Sequence, residues 1–380
     1  MRQESPRARI RIVAVRGRRE RARFLALPGA LYGDDPVWIA PLWLERRLHL
    51  SSRNPFLEHA SAALFLAQRG DRTVGRISAQ IDRLHLAQHG DEAGFFGLLE
   101  AEDDEATFRE LFSAAEGWLR ERGMRRALGP FSFSINQECG LLVSGFETPP
   151  QVMMPHGRPY YPRHVEACGY APAKDLLAYR IPVETGRQNP FLGRRAGGSL
   201  TLRPLSKAHL KRDLAIVREL FNDAWSGNWG FVSFTDRELD ELGSLLKYVV
   251  PSEFVWFAER AGEPLGFIVV LPNLNEAIAD LEGRLLPLGW AKLLWRLLVR
   301  SPRTARLALL GLRSDLQGSL AGAPVIFRLI GALDLPFARR GVEELELSWI
   351  LEDNLPMRSV ITHFGAELYK RYRIYTRELP

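Results

Sequence analysis

The chain matches itself in two places, and no other feature restricts its fold as much. Residues 64–80, "LFLAQRGDRTVGRISAQ", align with residues 255–271, "VWFAERAGEPLGFIVVL". One offset carries Ala67 to Ala258, Arg69 to Arg260 and Gly75 to Gly266. A nearly equal offset carries Gly169, Lys174 and Tyr179 to Gly365, Lys370 and Tyr375. Two independent matches at almost one spacing predict two copies of one fold. The Gly-rich, polar stretch "ETGRQNPFLGRRAGGS" reads as the linker. The expected organisation is one lobe over 1–183, a linker over 184–199 and a second lobe over 200–380.

The matched segments read as strand, polar turn, strand, which is a β-hairpin. Each hairpin is followed by a strand, a helix, a strand, a short helix and a closing segment after glycine. In the first lobe these are "GFFGLLE", 107–122, "RRALGPF" and 160–167. In the second they are "RLALLGL", 320–333, "ELELSWIL" and 356–364. Strands alternating with crossover helices predict an α/β fold with a mixed sheet. Gly365 is expected in the left-handed conformation that ends a helix.

The net charge of +6 comes mainly from arginine, crowded between Arg2 and Arg23 with only Glu4 and Glu20 opposing. Such a balance suits a nucleic acid, an anionic membrane surface or a phosphate-bearing ligand. No helix-turn-helix or zinc-finger spacing accompanies it, so no nucleic-acid partner is expected. The two cysteines, Cys139 and Cys168, form no CxxC, and no His/Cys cluster has ligand spacing, so no metal is expected. "IRIVAV" is too short for a signal peptide, and no run of about 20 apolar residues predicts a spanning helix. The expected location is the cytoplasm.

The element order, together with a strand leading to Asn354 and a short helix running to Gly365, resembles the GNAT acyltransferase superfamily. Both lobes carry the pattern, so the chain is similar to a tandem GNAT protein. The resemblance implies that acyl-CoA is the acyl donor, its diphosphate held at a strand–turn–helix and its pantetheine near the asparagine. A helix N-terminus offers free N–H groups and a positive dipole end to an anion. In the second lobe "LGLRSDLQGSLAGAP" supplies Arg313, Gln317, Gly318, Ser319 and Gly322, and Asn354 completes the set. The family's middle glycine is Leu320 here. In the first lobe Glu100, Glu102, Asp103, Asp104 and Glu105 crowd the matching place and would repel a diphosphate. Only the second lobe is expected to bind the coenzyme, the first being a structural or acceptor-binding half.

Two further segments point at the acceptor. The first-lobe stretch after "GPF" is long and dense in turn formers, aromatics and Met, which marks a functional loop. Asn136, Glu138, Tyr160, Tyr161, His156 and His164 are its candidates, joined by Trp229 and Phe231 in the second lobe. In 284–300, Arg284, Lys292, Arg296 and Arg300 recur at multiples of four beside Leu and Trp, with Pro287 in the first turn. One helix spanning 284–300 would lie on an anionic membrane from the inner face. "GPFSFSINQECGLLVSGF", "PPQVMMPHGRPYY" and "NWGFVSFT" also resemble a bacterial ceramide-synthase-like subgroup. That resemblance implies a sphingoid base or related lipid amine as acceptor. A small soluble amine, or binding of acyl-CoA without turnover, are the alternatives.

N-acylation needs a base for the amine proton, and a strand N–H can stabilise the oxyanion. Glu276 and Glu138 are the candidate bases. The tyrosine acid that the family resemblance implies seven residues after the asparagine is Ile361 here, which leaves His363 as the substitute. Tyr369 and Tyr372 lie past Gly365, in an element read as the wrong one for an acid.

Overall fold

The computed structural model describes residues 9–188 and 200–380. Residues 1–8, where the arginine crowding begins, and 189–199, most of the expected linker, lie outside them.

In chain order the elements are β1 (Ile10–Ala14), α1 (Arg18–Tyr32), α2 (Trp43–His49), β2 (Ala60–Arg69), β3 (Arg72–Asp82), α3 (Arg83–His89), β4 (Ala93–Ala101), α4 (Glu105–Arg120), β5 (Arg126–Gly129), β6 (Leu141–Ser144), α5 (Tyr161–Ala167) and β7 (Ala171–Pro182). There follow α6 (Val183–Arg187), β8 (Leu200–Pro204), α7 (Leu210–Trp225), α8 (Asp236–Tyr248), β9 (Val255–Arg260), β10 (Glu263–Pro272), α9 (Leu274–Ile278), α10 (Gly289–Leu298), β11 (Thr304–Leu312), α11 (Gly322–Gly331), α12 (Asp334–Arg340), β12 (Glu344–Leu351), α13 (Leu355–His363) and β13 (Glu367–Glu378).

The compact units do not follow the two sequence halves. Unit 1 comprises the chain up to Leu176 with 282–284 and 370–380, and unit 2 the rest, from Leu177 to Tyr369. The second half therefore gives most of β13 to unit 1, and the first half gives the end of β7 to unit 2. Unit 1 orders its strands β1-β2-β3-β4-β5-β13-β7, with β6 also on β13, and unit 2 orders them β8-β9-β10-β11-β12-β7. β7 gives its first half to unit 1 and its second half to unit 2. In unit 1, Asp175 on β7 accepts from Arg371 and Arg373 on β13, which fixes their register.

The hairpins repeat down to register. Ala67 pairs with Gly75 in unit 1 and Ala258 with Gly266 in unit 2. Both glycines are there because a helix and a neighbouring strand come close. A Cβ on Gly75 would lie 2.8 Å from Leu111 of α4, and one on Gly266 2.7 Å from Leu312 with Leu329 of α11 behind it. Gly169 and Gly365 have φ of 86° and 89°, the left-handed ending read from the sequence at Gly365.

In unit 1, α4 buries Phe108, Leu111, Phe112, Ala115 and Leu119 against Ile77, Phe96 and Tyr375. Each large apolar side chain so covered contributes about 1.5–3 kcal/mol.

The 284–300 segment differs from expectation. The helix is α10 alone; Arg284 and Pro287 precede it, and Lys292 and Arg296 both bind Asp280. The basic stripe is thus partly neutralised. Leu286, Leu288, Trp290, Leu294, Trp295 and Val299 are exposed. The second lobe's crossover is also two helices, α11 and α12, where one over 320–333 was expected.

Candidate active site

In unit 2 the parallel strands β11 and β12 pair from Thr304↔Glu344 to Leu307↔Leu347, and the register ends there. On its other side β11 slips against β10 between Val269 and Val270, opposite Leu309 and Leu307. Ala308 is thus an extra bulge residue whose ladder is interrupted. A bulge beside a split between parallel strands leaves strand N–H groups outside the ladder, where they can stabilise an oxyanion.

β11 leads into a turn that ends at α11. Gly318 has φ of 66°, and a Cβ on Gly322 would stand 2.2 Å from Leu316 O. Ser319 Oγ donates to Leu316 O and accepts from Gly322 N. Gln317 Nε2 donates to Ala224 O and Leu312 O, so it braces the turn. Arg313 is exposed but forks onto Asp315, and Ser314 binds Asp223. The positive charge read at Arg313 is therefore shared with carboxylates. Ser319 Oγ thus takes the first N–H of α11, and no acid sits in its first turn. A close-packed glycine and an acid-free first turn are compatible with a diphosphate at this helix start.

Unit 1 has the same split, paired only from Ala93↔Arg126 to Phe95↔Leu128. Here the chain itself fills it. Phe131 N donates to Phe96 O at 2.8 Å, Gln80 Nε2 donates to Phe131 O at 2.9 Å, and a Cβ on Gly97 would lie 1.6 Å from Phe131 O. The start of α4 is taken as well, since Asp104 accepts from Thr107 N and Oγ1. The acids there are not a bare negative field: Arg69 binds Glu102 and Asp104, Arg72 binds Glu102, and Arg163 binds Asp103. The charge at this helix start is thus largely paired, and Thr107 N is engaged by Asp104. Glu100 is not at the helix start; it is largely buried and accepts from Tyr32 and Tyr161, both at 2.7 Å. Burial pushes its carboxyl above the usual range, despite Arg76.

The remaining candidates are dispersed. Glu276 accepts from Arg303 N, Thr304 N and Thr304 Oγ1, tying α9 to the start of β11, the far end of that strand from the Gly322 turn. Asn354 caps α13, accepting from Met357 N at 3.3 Å, while His363 is exposed at the end of the same helix. Phe231 is buried against Phe221, and Trp229 is half-buried beside it. In unit 1, Tyr160 donates to Ala101 O, His156 pairs with Asp35 and His164 with Asp103. Asn136 is half-buried and its backbone N–H donates to Ser134 Oγ.

Glu138 is bound to Arg46. Burial opposes its charge, but the guanidinium overrides this and holds the carboxyl below the usual range, which makes it a weak base. Beside this pair His49 stacks on Phe133 at 4.8 Å. Burial first, then Arg46, brings its pKa from 6.5 down to about 4. The unfolded chain then binds the extra proton first, so unit 1 is expected to lose up to about 3 kcal/mol as pH falls from 6.5 to 4. Urea melts across that range should show the slope, and His49→Gln should flatten it. An unchanged slope would mean that His49 is protonated in the fold.

The sequence reading missed three residues in unit 2, Arg306, Glu346 and Ser348, and set a fourth, Tyr369, aside. Arg306 Nε donates to Ser348 Oγ at 2.8 Å, Ser348 Oγ donates to Glu346, and Tyr369 OH donates to the other Glu346 oxygen. Tyr369 thus joins the split from an element that was set aside. Alternating polar residues in "ELELSWIL" were the available signal.

No protein-family profile matches the chain. It is 47% identical over 359 residues to Protein YghO of Escherichia coli (strain K12), covering 94% of this chain and 92% of that one. It is 45% identical over 382 residues to the bacterial ceramide synthase of Caulobacter vibrioides, covering 99% of each. Among solved structures, the tandem GNAT protein of the clavulanic acid biosynthesis pathway superposes with a TM-score of 0.55, at 13% identity, over 98% of this chain and 99% of that one. With bulge, split and turn assembled in unit 2 of a tandem GNAT fold, and relatives spanning nearly the whole length, the chain belongs to the family of Protein YghO and the bacterial ceramide synthase.

Proposed function

We propose that this protein transfers a long-chain acyl group from acyl-CoA to the amine of a sphingoid base or related lipid amine. The observation that carries the lipid acceptor is the cluster of exposed Leu286, Leu288, Trp290, Leu294, Trp295 and Val299 on and beside α10. A tryptophan-bearing apolar surface of this kind is costly in water and suits a membrane interface. Among the described residues no helix is long and apolar enough to cross a membrane. The similarity to the ceramide synthase of Caulobacter vibrioides supports the same acceptor class.

In this reading the turn from Arg313 to Gly322 holds the diphosphate, with Ser319 and the α11 N–H groups as donors. The acyl thioester lies in the β11–β12 split, where N–H groups around Ala308 polarise its carbonyl. Asn354 flanks the open end. Acylation of a soluble amine is the second reading. It is favoured by the pairing of Lys292 and Arg296 with Asp280, which withdraws their charge from an anionic surface.

One experiment separates the two. Palmitoyl-CoA is supplied with a long-chain amino alcohol in anionic vesicles, or with a water-soluble amine, and amides are read by mass spectrometry. Amide should form on the lipid amine. Trp290→Glu with Leu294→Glu should lower vesicle binding and lipid-amine turnover at least about tenfold while leaving thermal stability unchanged. Amide on the soluble amine alone would overturn the lipid reading.

A further inference from the structure

On the proposed N-acyltransfer in unit 2, which this inference refines, we propose that the amine proton leaves through Ser348 to Glu346, with Arg306 and Tyr369 holding the relay in place.

The face comes first. Phe267 on β10 packs on Trp225 of α7 with ring centroids 6.1 Å apart, and a Cβ on Gly311 would lie 2.6 Å from Trp225. Residues alternate faces along a strand, so Val269 and Leu271 share the α7 side. Their cross-strand partners are Leu309 and Arg306, and Arg306 is opposite Glu346. Ser348, two residues on, has the same orientation. Arg306, Glu346 and Ser348 thus face α7, while Gly266 on the other side faces α11.

The position comes second. Leu307↔Leu347 is the last pair of the β11–β12 register. Ala308, the bulge, and Ser348 are each the first residue beyond it. The bulge N–H groups and the Ser348 hydroxyl therefore stand at the same level of the split, one suited to a carbonyl oxygen and the other to an amine.

The bonding comes third. Glu346 is 1% exposed, Ser348 5% and Arg306 6%. Here Arg306 Nε is 3.8 Å from Glu346, and the Ser348 hydroxyl lies between them, accepting from Arg306 and donating to Glu346. Arg306 also donates to Ser348 O at 3.2 Å, and Tyr369 donates to the second carboxylate oxygen. A hydroxyl that already donates to a carboxylate can take a proton as it gives up its own.

The step balances without another reactant. The neutral amine nitrogen forms a bond to the thioester carbonyl carbon, and the C–S bond breaks with its electron pair leaving on sulfur. One amine proton passes to Ser348 Oγ while the serine proton passes to Glu346. Glu346 returns it to the thiolate, giving amide and thiol.

The test uses the full chain with palmitoyl-CoA and both amines named above. Glu346→Gln is expected to lower kcat at least about 100-fold, with affinity for palmitoyl-CoA within about threefold of the wild type. The acid limb of its pH–rate profile should lose the slope of one proton. Ser348→Ala should lower kcat about tenfold or more, and Ser348→Thr, which keeps the hydroxyl, should recover most of it. A folded Glu346→Gln protein turning over within threefold of the wild type would overturn the proposal. Should Glu346→Gln not fold, Ser348→Ala at the wild-type rate would overturn it. If only the soluble amine is acylated, the lipid reading falls, and the same variants assayed on that amine still decide the relay.

Discussion

Gly322→Val is expected to weaken acyl-CoA binding at least about 30-fold, roughly 2 kcal/mol, while the protein stays folded. The first atom of any side chain at Gly322 would stand 2.2 Å from Leu316 O and 3.1 Å from a Leu312 methyl. Both belong to the strand and turn leading into α11, so the turn must open or the helix end must withdraw. Either motion spoils the alignment of N–H groups that makes a helix end an anion site. The turn is at the surface, with Leu320 97% exposed, so the damage should remain local. Gly341→Ala, at a left-handed helix end outside this turn, is the control. Gly341 has open space around it and φ of 66°, so alanine there costs only about 1–2 kcal/mol of backbone strain. Calorimetric titration with palmitoyl-CoA measures both. Undiminished affinity in Gly322→Val would place the diphosphate away from this turn.

Gly97→Ala should destabilise unit 1 by more than about 3 kcal/mol. The added carbon would sit 1.6 Å from Phe131 O and 2.5 Å from its carbonyl carbon. A backbone group cannot yield as a flexible side chain can. Phe131 is further fixed by its bond to Phe96 O and by Gln80. The same contact distinguishes the two units, because that segment fills the β4–β5 split, whereas the β11–β12 split is where the thioester is proposed to lie. Chemical denaturation of the variant gives the answer. A midpoint close to that of the wild type would mean that Phe131 is not seated in the split.

These contrasts show how far the residues alone could be read. The repeat was legible because its glycines are imposed locally: Gly75 and Gly266 by a helix approaching a hairpin, Gly169 and Gly365 by a left-handed helix end. The strands "GFFGLLE" and "ELELSWIL" and the short helix after Asn354 were legible for the same reason, since their periodicity and caps lie within a few residues. The helix read over 284–300 was too long because a run of Leu and Trp continues past the point where the chain turns at Leu286-Pro287-Leu288. Glu276 looked available in sequence, yet three hydrogen bonds from the start of β11 engage it. Tyr369 looked misplaced, yet β13 brings its hydroxyl to Glu346.

Residue order was enough to read two like halves of mixed α/β character, and a strand, glycine turn and helix in the second. Each of these follows from interactions between neighbours in the chain. Long-range packing alone set which half keeps an open split, which strand closes which sheet, and that Arg306, Glu346, Ser348 and Tyr369 meet. A strand carries no label for its partner. Pairing across long separations is fixed by which faces can be buried together, and it is that burial which brings distant polar groups into one site.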